Sequence, residues 1–311
     1  VRREIDLNKL WEEISANEIQ LVTWEDPNYP ARLREIAQPP PILYLKGNLV
    51  EEDAWAVAIV GTRRVTAYGR QVAEEVGSFL AQNGITVVSG LARGVDGIAH
   101  QAALKAGGRT LAVLGSGLNK IYPPEHRKLA ENIIQSGAVI SDYSPDTPPE
   151  GSNFPPRNRI ISGLSMATIV IEAGKTSGAL ITANFALEQG REIFALPGNI
   201  YAPQSKGPNQ LIQKGAHPLL HPRDILEVLD LTRVTQQQTA RQMLLADETE
   251  TKLLQSLSHE PLHIDEIRAK TGLAVEKVSS LLVMMELKGM VRHVGGMNYV
   301  TAREKQADYE V

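Results

Sequence analysis

Ala56-Val57-Ala58-Ile59-Val60 is a short apolar run that stops at Gly61-Thr62-Arg63-Arg64, and a helical period then carries residues 70–82 to a glycine, Gly84, placed as a C-cap. Strand, small-residue loop and helix in that order are the first half of a βαβ unit. The pattern recurs downstream. Apolar runs at 85–88, 110–114, 138–140, 168–171 and 192–196 alternate with helical periods at 95–105, 125–135, 158–164 and 179–188. Such alternation predicts a mainly parallel sheet in an α/β, extended Rossmann-like fold. Right-handed crossovers bring the loops that follow the strands to one edge, where sheets of this kind hold ligands. Gly61-Thr62-Arg63, Ser89-Gly90, Gly115-Ser116-Gly117 and Lys175-Thr176-Ser177-Gly178 all belong to that edge.

On either side of this core the character of the chain changes. Residues 1–45 hold an amphipathic stretch at 7–19 and then Asp26-Pro27, Tyr29-Pro30 and Pro39-Pro40-Pro41, which reads as a helical remnant and a linker. The Rossmann-like domain spans 46–230, with short helices at 209–214 and 224–229 finishing it. A polar linker, 231–246, leads to a module at 247–302. There, helical periods at 248–258, 263–270 and 275–288 precede two short strands around Gly295-Gly296, the outline of a winged helix. A loose tail follows at 303–311.

The 311 residues carry a net charge of −4 and no cysteine, which excludes disulfides and thiolate chemistry and fits a reducing, cytoplasmic setting. No apolar run approaches the roughly 20 residues that cross a bilayer, so no membrane partner is expected. The opening Val1-Arg2-Arg3-Glu4 has neither signal-peptide character nor an initiator Met, the expectation being a trimmed chain or a fragment. The mild net charge does not exclude nucleic acid, because screening limits each charge to about 8–10 Å. Local charge decides. From Thr62 to Val72 there are three Arg and no acid, and no acid occurs from Gly151 through Ile171. Across 247–302 eight acids outweigh six bases, so the winged helix is expected to contact protein rather than duplex DNA.

Glycine-loop amides, a helix N-terminus and guanidiniums suit a phosphate. Dinucleotide cofactors are disfavoured: the first loop lacks G-x-G-x-x-G, and Ser89-Gly90 stand where an acid should bind ribose. Gly174-Lys175-Thr176 ends like a Walker A loop, but position 169 is Ile instead of Gly. Asp96 and His100, four apart on one helix, could pair as acid and base; alternatively Asp96 caps the helix and His100 packs on the sheet. Phe154 beside Arg157 and Arg159 offers a stacking face and phosphate partners to single-stranded nucleic acid, or else a core plug with capping arginines.

Seven ordered motifs resemble the DNA-processing protein A (DprA/Smf) family: Ile59-Val60-Gly61-Thr62-Arg63-Arg64 with Tyr68-Gly69; Ser89 to Asp96 with Ala99-His100; Leu114-Gly115-Ser116-Gly117-Leu118 with Tyr122-Pro123; Phe154 to Ile161; Glu172-Ala173 with Ser177-Gly178-Ala179-Leu180; Leu196-Pro197-Gly198; and Gly207 to Ile212. The resemblance runs from about residue 29 to 229. It implies a non-enzymatic homodimer that binds and protects single-stranded DNA and loads RecA recombinase during natural transformation, without metal or cofactor. The DNA contacts it implies, together with the loop reading, are Gly61, Thr62, Arg63, Arg64, Tyr68, Gly69, Ser89, Gly90, Arg93, Gly115, Ser116, Phe154, Arg157, Asn158, Arg159, Lys175, Ser177 and Gly178. Some relatives carry a base where this chain has Pro124, with Arg127 or Lys128 as the available substitutes, and the N-terminal helical domain is shorter here. The rival class is a Rossmann-like nucleotide hydrolase of the lysine-decarboxylase-like kind, whose Pro-Gly-Gly signature is represented only by Pro197-Gly198-Asn199. A third reading makes the chain chiefly a recombinase-binding scaffold.

Overall fold

Nine strands form the sheet of the first unit: β1 (Gln20–Thr23), β2 (Ile42–Gly47), β3 (Ala56–Val60), β4 (Thr86–Ser89), β5 (Thr110–Val113), β6 (Ala138–Ser141), β7 (Ala167–Val170), β8 (Glu192–Ala195) and β9 (His217–Pro218). The computed structural model describes residues 14, 16–231, 253, 256, 257, 262–287 and 291–301. The chain divides into two units between Thr232 and Arg233.

The sheet runs β1-β2-β6-β5-β4-β3-β7-β8-β9, parallel from β6 to β9. Every residue of β3, β4, β5, β6 and β7 is buried, as strands covered by helices on both faces must be. Helices Ala67–Gln82, Val95–Lys105, Arg127–Ser136, Phe154–Gly163 and Gly178–Glu188 lie between them in chain order. From β3 the chain steps outward through β4, β5 and β6, then returns to lay β7 on the other side of β3. That reversal is a topological switch point, where the loops leaving two adjacent strands diverge and open a crevice. Val60 pairs with Val170, so the loops beginning at Gly61 and Ile171 face each other across it.

The strands and helices from residue 56 to 230 lie within a few residues of their expected places. The N-terminal segment differs. It was expected as a linker, yet β1 and β2 extend the sheet antiparallel beyond β6, with Tyr44 opposite Ser141. Leu43 and Leu45 are buried, and the Tyr29 hydroxyl donates to Pro40 O at 2.8 Å. Three prolines in front of Ile42 hide a four-residue apolar run that pairs with β1 on one side and the distant β6 on the other. Of the helical stretch at 7–19, residues 7–13 and 15 lie outside the described residues, while Ile14 and Ile19 are buried.

The second unit holds β10 (Leu262–His263), helices Ile264–Thr271 and Val275–Leu287, β11 (Val291–His293) and β12 (Asn298–Thr301), with sheet order β10-β12-β11. Gly272 ends the first helix in the left-handed region at φ 71°. Leu253, Leu257, Ile267, Val278, Leu282 and Met285 share its core. This is a winged helix, with β10 as a strand that the sequence pattern did not disclose. The helix expected at 248–258 is described only at residues 253, 256 and 257. The linker at 231–246 (apart from buried Leu231) and the tail at 303–311 lie outside the described residues.

Candidate functional site

The crevice between β3 and β7 is a cleft of about 830 Å³. One wall is the loop after β3. Gly61 is required by close approach: a Cβ there would sit 2.6 Å from Val95 Cγ2. The Thr62 amide donates to Glu172 O at 2.7 Å, and Thr62 O accepts from the Val95 amide at 3.2 Å. The backbone is thereby pinned between two elements, and the Arg63 and Arg64 side chains stand outward. Both are exposed, and neither forms an ion pair among the described residues.

Helix Ala67–Gln82 does not offer this cleft a free N-terminus. Thr66 caps it, accepting from the Gly69 amide at 3.1 Å. The buried Glu172 carboxylate takes the Thr66 amide at 2.9 Å and the Thr66 hydroxyl at 2.5 Å. A Cβ on Gly69 would lie 2.5 Å from Glu172 Cδ. The positive end of the helix is therefore matched by the protein's own carboxylate. Gly69, expected as a phosphate contact, is a packing glycine under that carboxylate. Tyr68 is half exposed on the same turn, its hydroxyl donating to Pro197 O at 3.2 Å.

The floor is a closed polar network. Ser89 Oγ donates to Ile59 O at 2.6 Å. The Gly90 amide donates to Asp96 Oδ2 at 3.1 Å, and Gly90 O accepts from Arg157 Nη1 at 2.9 Å. The same nitrogen donates to Val113 O. Arg157 is 4% exposed, and burial pushes its pKa down to about 10, still cationic at neutral pH. Asp96 also accepts from the Ala92 amide at 3.4 Å; burial raises its carboxyl pKa, with the Arg157 charge working against that rise. Ser116 Oγ donates to Lys120 O at 2.7 Å, and Gly115 leaves room for Phe154, whose ring would be 2.7 Å from a Cβ there. The polar groups of Ser89, Gly90 and Ser116 that these bonds use shape the floor.

Two residues expected as phosphate partners are engaged by the protein itself. The Arg157 guanidinium holds the carbonyls of Gly90 and Val113. Arg159 is absent from the cleft lining: it pairs with Asp142 at 2.9 Å and donates to Gln38 O and Pro156 O at 3.0 and 2.8 Å, tying the N-terminal segment down. Both looked uncompensated because their acids lie far away in sequence. Asn158 donates to Gly178 O at 3.2 Å, fixing the opposite lip. Arg93, exposed, pairs with Glu125 at 2.5 Å behind Tyr122.

The lip itself gathers Arg63, Phe154 and Tyr122. Arg63 Cζ lies 5.8 Å from the centre of the Phe154 ring, Arg157 Cζ 5.9 Å from it, and the Tyr122 ring 5.8 Å away. Phe154 is partly exposed: it is neither a core plug nor a free platform, but an aromatic surface buttressed by a buried cation. Across the cleft, helix Gly178–Glu188 begins with Ser177 Oγ accepting the Ala179 amide at 3.3 Å, no acid in its first turn, and open space around Gly178. Lys175 is exposed on the loop before it. Asp96, already engaged, is the one carboxylate in the lining. The cleft thus offers an anion two guanidiniums without an ion pair among the described residues on one side, and on the other a Ser-capped helix start with no acid in its first turn. Sequence reading missed Glu172 and Tyr122 as parts of this site. Glu172 ends the β7 run beside a glycine loop, the one local sign that it could have been found.

No acid–base pair forms. His100 Nδ1 lies 2.7 Å from Thr110 Oγ1, which donates its own proton to Val87 O, so the ring proton is on Nδ1 and the ring is neutral. Burial drives its pKa from 6.5 down to about 3. The folded-state pKa is depressed, so the unfolded chain binds the extra proton between these values. This stability contribution is therefore complete above pH 6.5 and is lost as pH falls toward 3, by about 1.4 kcal/mol per pH unit. In urea melts across that range, the gap between the wild type and His100→Asn should narrow with acidity; a constant gap would refute a neutral buried ring.

Residues 20–230 match the family described as DNA recombination-mediator protein A, and residues 237–297 match the DprA winged helix domain. Protein Smf of Synechocystis sp. is 36% identical over 334 residues, covering 96% of this chain and 84% of its own length. The DNA processing protein DprA of Bacillus subtilis is 43% identical, covering 68% of this chain and 71% of its own. Among solved structures, DNA processing protein A of Streptococcus pneumoniae superposes with a TM-score of 0.68 at 40% identity, covering 72% of this chain and 78% of its own. The Helicobacter pylori protein, described by its single-stranded DNA binding mode, superposes at 0.62 and 32% identity, covering 68% and 95%.

Proposed function

The chain belongs to the DNA recombination-mediator protein A family, and from that premise we propose that it binds single-stranded DNA in the cleft between β3 and β7, protects it and delivers it to a RecA-type recombinase. One observation carries the reading. Arg63 and Arg64 have no acid partner among the described residues and stand at the mouth of a large cleft, with Arg63 over a partly exposed aromatic ring. A backbone polyanion whose bases stack suits that combination, and the single-stranded DNA binding of the Helicobacter pylori relative agrees. In this reading Arg63, Arg64, Lys175, the Ser177 hydroxyl and the Gly178 amide meet phosphates, and Phe154 meets a base. Gly61, Thr62, Ser89, Gly90, Gly115, Ser116 and Asn158 hold the shape. The protein works as a cytoplasmic homodimer and performs no catalytic step.

Nucleotide hydrolysis is disfavoured, because Asp96 is engaged by two amides and His100 by Thr110. Purified protein should bind oligothymidylate with log affinity falling linearly against log salt. No binding, or turnover of a nucleoside monophosphate, would overturn the reading. Capture of RecA by the protein without DNA would favour the scaffold role over delivery of bound DNA.

A further inference from the structure

We propose that the bound strand leaves the main cleft over a low ridge and enters a second groove, between helices Gly178–Glu188 and Lys206–Gln213, where Lys214 receives a phosphate. This rests on the single-stranded DNA reading above. The groove is about 340 Å³ and shares Thr176, Ser177 and Ile181 with the main cleft, so the two are continuous. Lys175 and Lys214 both line it, both are exposed, and neither forms an ion pair among the described residues. No acid lines it. The amides of Asn184 and Gln210, also in the lining, can donate to phosphate oxygens or base edges.

The groove has fixed walls. A Cβ on Gly207 would lie 2.6 Å from Ala173 O, so the helix carrying Lys214 is seated directly on the chain leaving β7. The Lys214 amide bonds back to Gln210 O and Leu211 O and closes that helix. Ile181, 36% exposed, gives the ridge an apolar surface over which a sugar or base can pass without leaving a polar group unpaired. An acidic peptide would also meet two lysines. Continuity with a cleft already suited to phosphates favours the nucleic acid.

The test compares oligothymidylates of about 5 and about 20 nucleotides on the full chain. Lys214→Ala should leave the short oligomer unaffected, weaken the long one about fivefold, and reduce its salt slope by about 0.7, one phosphate contact on a single strand. Lys214→Glu should weaken the long one further. If Lys214→Glu retains wild-type affinity and slope for the long oligomer while the wild type binds both lengths, the second groove is refuted and the cleft reading stands. If the wild type binds neither length, both fail together.

Discussion

Arg63→Ala is expected to weaken oligothymidylate binding about 10- to 100-fold, the cost of one charge-assisted hydrogen bond of about 1.5–3 kcal/mol. The side chain is exposed and has no acid partner among the described residues, so its loss does not disturb the fold. Two readouts identify the cause. The salt slope should fall by about 0.7, because a phosphate contact disappears. Arg63→Lys should recover the slope but only part of the affinity, since an ammonium keeps the charge yet loses the planar fork and the stacking on Phe154. Unchanged affinity and slope in Arg63→Ala would remove this residue from the interface.

Arg157→Met should behave in the opposite way, costing about 3–5 kcal/mol of stability in urea denaturation. The substitution removes a buried cation that holds the Gly90 and Val113 carbonyls together and faces the buried Asp96. Two carbonyls then lose a buried hydrogen-bond donor, and the Asp96 carboxyl loses the cation beside it. Binding should weaken only modestly in the folded protein, through loosened support of Phe154. A variant as stable as wild type that no longer binds DNA would return Arg157 to the phosphate contacts.

The contrast between these two arginines marks how far the sequence could be read. Strands such as Ala56–Val60 are legible because burial on both faces leaves an unbroken apolar run. The loop after β3 is legible because Gly61 and the guanidiniums are adjacent in the chain. Charge compensation is not local. Asp96 lies 61 residues before Arg157 and Asp142 lies 17 before Arg159, so counting acids near each arginine could not tell a buried counter-charge from a free one. Strands β1 and β2 were missed for a related reason, since β2 is paired by β6 about a hundred residues later and β1 is laid on β2. Nor does the sequence show that Gly115, Gly90 and Gly69 also make room for Phe154, Arg157 and Glu172.

Glu172 gives the first helix a resident tenant. In a nucleotide-binding member of this architecture, the seat at the head of that helix belongs to a diphosphate, and any nucleoside triphosphate in the cell competes for it. Here the seat is let permanently to a side chain of the protein itself. A small anion arriving alone finds the deepest position taken and only the rim available. A polymer loses little by this, because it gathers many rim contacts at once. If the cleft takes single-stranded DNA as proposed, the occupied seat would act as a sieve for length, favouring a strand over a lone nucleotide.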